Sequence, residues 1–361
     1  MLKTVSFIKT RFNQLNFAKD KAMKTAMLVY SAFLYSVLAG SMLLSSTCLA
    51  KAANKLPTIT QQNDNIRFAV IGDLTGGERA GIFDIAVEGL TALQPDFILS
   101  IGDLIDGGIE DTRELNQQWQ FFKDRIDKTQ VPFYPVVGNH DISNLIMRNW
   151  WQETIAPRYY HIRHKDILFL MLDSEDYPDE RFAQMAQIRL DGIAVYKRNP
   201  ADFANTEYAK LFERKYGQIR NKQSDYFEQV LKKHDDVKWT FVLMHKPLWK
   251  QAEKTGFSQI ETALQGRQYT VFNGHTHTYH YTHRFGQDYI QLGTTGGAFT
   301  SADDGEYMDH ILMVSKSPNS KPRLLNITLG GMRNKFGKIP ADKNQLCSGQ
   351  QVCTPVPSNN H

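Results

Sequence analysis

Cysteine is nearly absent: the chain of 361 residues has three, Cys48, Cys347 and Cys353. So few thiols rule out a four-cysteine structural zinc site. An excess of one charge is missing too, once its position is considered. The formal net charge of +4 arises in residues 1–52, where Lys3, Lys9, Arg11, Lys19, Lys21, Lys24 and Lys51 face Asp20 alone, and the rest of the chain is slightly acidic. There is thus no signal for nucleic-acid binding, which needs its basic residues on the folded domain. Nor is there an internal repeat, and 42% apolar with 22% charged residues is too balanced for a disordered or collagen-like chain. What remains is one large globular domain or two small ones.

The first 52 residues read as an export signal: a basic stretch, the apolar run Ala26 to Leu44, and the A-x-A pattern Ala50-Lys51-Ala52, with cleavage expected after Ala52. The apolar run approaches the ~20 residues that span a bilayer, so an uncleaved anchor is the alternative, and membrane contact is expected only in that case. Either way the protein is expected to be exported, to the periplasm or the extracellular space. Cys48 would leave with the signal, and Cys347 with Cys353 form an even pair suited to a disulfide in an oxidising compartment. Residues 53–65 are polar and read as a linker, and residues 333–361 as a loose C-terminal tail.

From Ile66 onward short apolar runs alternate with helical patterns. Ile66–Gly72, Asp96–Ile101, Val131–Val137, Ile167–Leu172, Lys238–Met244 and Tyr269–Phe272 have the β-branched and aromatic content of strands. Between them, Ile82–Leu93 and Arg113–Ile126 place apolar residues on one helical stripe, and Asp225–Lys233 opens with a D-x-x-E cap pattern. Such alternation predicts an α/β domain with helices outside a sheet. After Tyr269 consecutive strands follow, Tyr289–Leu292, Ile311–Val314 and Leu324–Leu329, which a second sheet packed on the first would accommodate. Residues 175–222 interrupt the alternation and are too long for a bare connection, so they are expected to form a helical insertion over one face.

Five strand-like segments end in acidic, amide or imidazole groups: Gly72-Asp73, Gly102-Asp103-Leu104-Ile105-Asp106, Gly138-Asn139-His140-Asp141, Met244-His245-Lys246-Pro247 and Gly274-His275-Thr276-His277. Each alone is an ordinary turn. In α/β sheets, however, sites form at the carboxyl ends of strands, and five such ends meeting in one crevice would make a dinuclear metal site. Carboxylate, imidazole and amide oxygen donors suit Mn, Fe, Zn or similar ions.

In that order, GD, GDxxD, GNHD, H and GHxH, the motifs resemble those of the calcineurin-like metallophosphoesterase superfamily over residues 66–300, within a domain expected to span residues 66–332. The resemblance implies two packed mixed β-sheets flanked by helices, a four-layer α-β-β-α sandwich, with two divalent metal ions at the sheet edge. Position by position, Asp103 would bridge the ions, Asp73 and His277 would bind the first, and Asn139, His245 and His275 the second. The implied activity is hydrolysis of phosphate esters on a phosphorylated small molecule, by a hydroxide held between the ions. His140 would act as general acid on the leaving oxygen, with Asp106 orienting it and Asp141 as the alternative orienter.

The sequence departs from the family at two points. The usual D-x-H has become Asp73-Leu74-Thr75, which leaves the first ion one strong donor short; Asp106, where purple acid phosphatases supply a Tyr ligand, is the candidate to replace it. The Arg that follows the second Asp in phosphoprotein phosphatases is Gly107, which argues against a phosphoprotein substrate. Arg79 is considered as a phosphate contact, the Thr294-Thr295-Gly296-Gly297 turn as pocket lining, and His280 and His283 as loop surface residues. The alternatives to a phosphatase are a phosphodiesterase acting on nucleotides or lipid headgroups, and a metal-binding or interaction protein whose catalysis has decayed at Thr75.

Overall fold

Strand β1 (Ile66–Ile71) shows how the sequence builds the layers. Side chains alternate across a strand, so Ile66, Phe68 and Val70 enter one apolar cluster while Ala69 and Ile71 enter another. Strands β5 (Ile167–Met171) and β6 (Trp239–Leu243) do the same from the other side: Phe169, Met171, Phe241 and Leu243 join the cluster of Phe68, whereas Leu168, Leu170 and Val242 face a third. A strand buried on both faces reads as an unbroken apolar run, which is how these segments appear in the sequence.

The computed structural model describes residues 56–59, 64–299 and 306–331. The export segment 1–52 and the tail 333–361 with Cys347 and Cys353 lie outside them. The remaining strands are β2 (Phe97–Ser100), β3 (Phe133–Tyr134), β4 (Tyr160–His164), β7 (Tyr269–Asn273), β8 (His280–Arg284), β9 (Gln287–Gln291), β10 (His310–Lys316) and β11 (Arg323–Thr328). One sheet runs β11-β10-β1-β2-β3 and the other β4-β5-β6-β7-β9-β8. In the first, β1, β2 and β3 are parallel and β10 pairs antiparallel with β1; in the second, β5, β6, β7 and β9 are parallel.

The sheets face each other across an aromatic core. Phe68 stacks on Phe97 at 5.3 Å and meets Phe241 edge-on at 5.0 Å, joining the two sheets. Helices α1 (Ile82–Leu93), α2 (Thr112–Ile126) and α3 (Leu145–Thr154) cover the outer face of the first sheet, and α5 (Asn221–Lys233) that of the second. The result is the expected α-β-β-α sandwich. Helix α4 (Asp179–Arg198) and short helical turns at Glu207–Lys210 and Phe212–Tyr216 occupy most of the 175–222 segment.

Several expectations need correction. The late strands do not form a sheet of their own: β9 joins β7, while β10 and β11 return to β1. Strands β4 and β8 were not foreseen, because their residues are polar; His280 and His283 accordingly lie on β8 and not on a loop. Helix α5 starts at Asn221 with no side-chain cap, four residues before the D-x-x-E pattern. Residues 53–65 are not wholly a free connection either, since Leu56 and Ile59 pack against the inter-sheet core and the Tyr134 hydroxyl donates to the Pro57 carbonyl at 2.9 Å.

Candidate metal centre

Parallel strands put their carboxyl ends at one edge, and here β1, β2 and β3 of one sheet and β6 and β7 of the other bring all five motifs there. The loops are tied to each other. The Asp73 amide donates to the Gly102 carbonyl at 3.0 Å, and across the sheets the His275 amide donates to the Asp73 carboxylate at 3.0 and 3.1 Å. Two motif glycines are required by that closeness: a Cβ on Gly138 would lie 2.3 Å from the Asp103 amide and carboxylate, and one on Gly274 would lie 2.1 Å from Asp73 Oδ2. Asp73, Asp103, His275 and His277 all have positive φ, between 52° and 77°, a conformation that costs a non-glycine residue on the order of 1 kcal/mol or more. Strain of this kind gathers where side-chain aim matters more than backbone comfort.

The carboxylates and imidazoles form two clusters that share one member. Asp73, Asp103 and His277 offer ligand atoms within 4.8 Å of one another, as do Asp103, His245 and His275. Asn139 belongs with the second, its Oδ1 lying 3.1 Å from His245 Nε2. Each histidine spends its remote N–H on a main-chain carbonyl: His245 Nδ1 on Ile101 at 2.9 Å, His275 Nε2 on Arg214 at 2.7 Å, and His277 Nδ1 on Ala298. The other nitrogen of each is then a lone pair turned inward, the arrangement usual for metal-bound histidine. His245 Nε2 faces Asp103 Oδ2 at 3.1 Å and His275 Nδ1 at 3.2 Å, and His277 Nε2 faces Asp73 Oδ1 at 3.4 Å.

Acceptors facing acceptors in a buried site repel unless a cation lies among them, so the donor set fits divalent metal ions. The field has the same sign. Burial pushes His245 down, but the Asp103 charge and hydrogen bond together with the Asp73 charge outweigh it and raise the imidazole to about 9. Burial holds His277 down at about 4 and His275 well below the usual histidine range, as neutral ligands require. Burial also drives the Asp73 carboxyl upward, helped by the neighbouring Asp103 charge and opposed by the His245 charge.

His140 sits beside these clusters, half-buried. Its Nδ1 bonds the Asp106 carbonyl at 2.8 Å, and its Nε2 would be 3.7 Å from a Cβ on Gly76, across from His277. Burial and, to a lesser extent, the Arg189 charge hold its pKa below the usual value, against the pull of Asp103. The expected orienting carboxylates act differently. Asp106 is exposed and orients His140 through its backbone carbonyl, so the side-chain assignment is corrected. Asp141 is fully buried, and its carboxylate accepts from four amides: Leu104 at 2.8 Å and Ile105 at 3.3 Å on Oδ1, Gly138 at 2.8 Å and Asp103 at 2.9 Å on Oδ2. It pins the loop of Asp103 to the loop of Asn139 and His140 and makes no contact with the His140 ring.

Thr75 is buried and donates its hydroxyl to the Ile105 carbonyl at 2.8 Å, so it serves as a tie between loops. Arg79 is occupied by Asp309, by the Gly297 carbonyl at 2.9 Å and by the face of Phe299. The Thr294–Gly297 turn lies behind the site: the Thr295 and Gly297 amides donate to the Gly72 and Asp73 carbonyls, both at 2.9 Å. Arg189 and Arg214 border the site from the insertion and were missed, because no motif surrounds them.

The family model for calcineurin-like phosphoesterase matches residues 66–279. A curated relative, a probable glycerophosphodiester phosphodiesterase of Arcobacter nitrofigilis, is 23% identical over 155 residues, 43% of this chain and 43% of that protein. The matched region thus spans less than half the length of that relative. Among solved structures, a dimetal phosphatase from Danio rerio is similar with a TM-score of 0.53 and 13% identity, over 73% of this chain and 96% of that one. A purple acid phosphatase from yellow lupin (Lupinus luteus) seeds is similar with a TM-score of 0.51 and 12% identity, over 77% and 53%. These two likenesses speak to the fold, and the family match covers all five motifs, the last ending at His277. The chain belongs to the calcineurin-like phosphoesterase family.

Proposed function

We propose that this protein hydrolyses phosphate esters with two divalent cations, one held by Asp73, Asp103 and His277 and the other by Asp103, Asn139, His245 and His275. The observation that carries the reading is the inward ring of imidazole, amide and carboxylate acceptors centred on Asp103. Two such cations, when bound, polarise phosphoryl oxygens and lower the pKa of water, which suits displacement at phosphorus. The protein's own part is positional. His140, aligned by the Asp106 carbonyl, presents Nε2 to the leaving oxygen, and as an imidazolium it gives up that proton while Nδ1–H stays on the carbonyl. Asp141 fixes the distance between Asp103 and His140 by holding both loops.

A phosphodiesterase reading has one observation in its favour, the name of the curated relative. Turnover of p-nitrophenyl phosphate and bis(p-nitrophenyl) phosphate, measured on protein loaded with Mn, Fe, Zn or Ca, tests both. Metal-dependent release of nitrophenol is expected. Two bound ions with no turnover of either ester would instead mark a binding protein whose catalysis has decayed. Export is part of the same reading and rests on residues 1–52 alone: the mature protein is expected to begin at Ala53, and an unprocessed cytoplasmic product would refute it.

A further inference from the structure

Among the described residues, eight buried or half-buried arginines have a carboxylate or carbonyl acceptor: Arg79, Arg125, Arg148, Arg158, Arg181, Arg220, Arg267 and Arg284. Arg189 and Arg214 are half-buried and have none. Both come from the helical segment beside the metal centre, and both line one recess that reaches a single candidate ligand, Asn139. Arg189 projects from α4, with Nη1 3.3 Å from where a side chain on Gly108 would begin. Arg214 stands on the facing segment, its guanidinium carbon 5.4 Å from the Phe203 ring and 5.3 Å from the Tyr208 ring. Its backbone is fixed to the centre, since its carbonyl accepts from His275 Nε2.

The other charges in the recess cancel. Lys246 and Glu175 are both buried and pair at 2.5 Å, so the two arginines leave a local excess of positive charge. The surrounding walls, Phe182, Met185 and Leu211, are apolar and lower the local dielectric. Neither guanidinium has a buried nitrogen without a partner, so both stay open to a ligand arriving from solvent, and a planar guanidinium is suited to a two-oxygen anion. The reacting phosphoryl group has its own site at Asp103, with cations to neutralise it. The recess begins at Asn139 and leads away from that point.

We infer that this recess takes a second anionic group of the substrate, a carboxylate or a phosphate carried on the leaving-group side, and that Arg189 and Arg214 select for it. The inference rests on the proposed phosphoesterase activity, and its test has an arm that does not.

In the first arm, kcat/KM is compared for phenyl phosphate and 4-carboxyphenyl phosphate. The parent is expected to favour the carboxylate by about tenfold or more, the worth of one good charged hydrogen bond. Arg189→Gln with Arg214→Gln should remove that preference through KM, read as the ratio between the two esters, because loss of the Arg189 charge also lets the His140 pKa rise. In the second arm, titration calorimetry follows benzylphosphonate and 4-carboxybenzylphosphonate, which cannot turn over. The parent should bind the carboxylate analogue more tightly and the double variant should bind both alike, with metal content and melting temperature unchanged. If the double variant loses phenyl phosphate and 4-carboxyphenyl phosphate equally, the arginines hold the reacting phosphoryl group and the inference is wrong. It is equally wrong if the parent shows no preference in binding. A parent that prefers the carboxylate analogue yet turns over nothing keeps the recess and overturns the activity.

Discussion

Replacing Asp141 with Asn removes one oxygen and little volume, yet it should be among the most damaging changes outside the ligand set. The carboxylate satisfies four buried amides, two on each oxygen. An asparagine keeps one oxygen and turns an NH2 toward the other two amides, leaving donor against donor. Each buried donor without an acceptor costs about 1–3 kcal/mol, and the two retained bonds lose their charge assistance. Removing a negative charge beside Asp103 relieves some repulsion, so the net loss is placed at about 4 kcal/mol. For a domain of this size that lowers the melting temperature by about 7 °C, readable by circular dichroism or calorimetry. Activity should fall as well, because the Asp103 and His140 loops lose their common anchor. A variant that melts within about 3 °C of the parent would refute the reasoning, because the four amides would then have found other acceptors at little cost.

Three further outcomes follow from the same geometry. His140→Ala should retain its metal ions and slow hydrolysis by roughly 100- to 10,000-fold, with a smaller loss on esters of good leaving groups; equal losses on nitrophenyl and alkyl esters would exclude a general-acid role. Because Thr75 spends its hydroxyl on the Ile105 carbonyl, the Asp73 side lacks an imidazole there. The dialysed protein should therefore keep one ion firmly and gain activity with added divalent ion, whereas two retained ions and no response would mean that another group completes the first site. His310 is buried with Nδ1–H on Asn326 Oδ1 at 2.9 Å and Nε2 accepting from the Gly293 amide at 3.0 Å, so only the neutral ring fits, and burial lowers it to about 4. The unfolded chain then binds that proton more readily, so stability is fully present above about pH 6.5 and falls by up to about 3 kcal/mol as pH drops toward 4. His310→Gln should flatten that slope in urea titrations, and an unchanged slope would exclude His310 as its source.

How much of this was legible in the sequence depends on how local each signal is. The ends of β1, β2, β6 and β7 could be read because each strand is an apolar run buried on both faces, closed by a polar donor that follows Gly in β1, β2 and β7 and Met244 in β6. Helix α1 matches its expected span because its stripe of Ile82, Ile85, Ala86 and Leu90 is a property of the segment alone. Strands β4 and β8 escaped because an antiparallel strand with exposed residues has no apolar run. The return of β10 to β1 escaped for a different reason: pairing across more than 200 residues leaves no mark on local pattern. At the site, residue types located the ligands but not the work of the backbone. The Asp106 carbonyl aligns His140, and four main-chain amides hold Asp141. Arg189 and Arg214 carry chemistry only through their lack of acceptors, which a sequence does not display.

The sharing of Asp103 between two cations is the center of the account, and metal stoichiometry tests it most directly. Equilibrium dialysis against Mn or Zn at an activity that fills both sites of the parent, read by plasma mass spectrometry, counts ions per chain in the parent, Asp103→Ala and His277→Ala. The account predicts that His277→Ala loses an ion from one site and keeps the other, whereas Asp103→Ala retains neither. Asp103→Ala that still holds as many ions as the parent would contradict it.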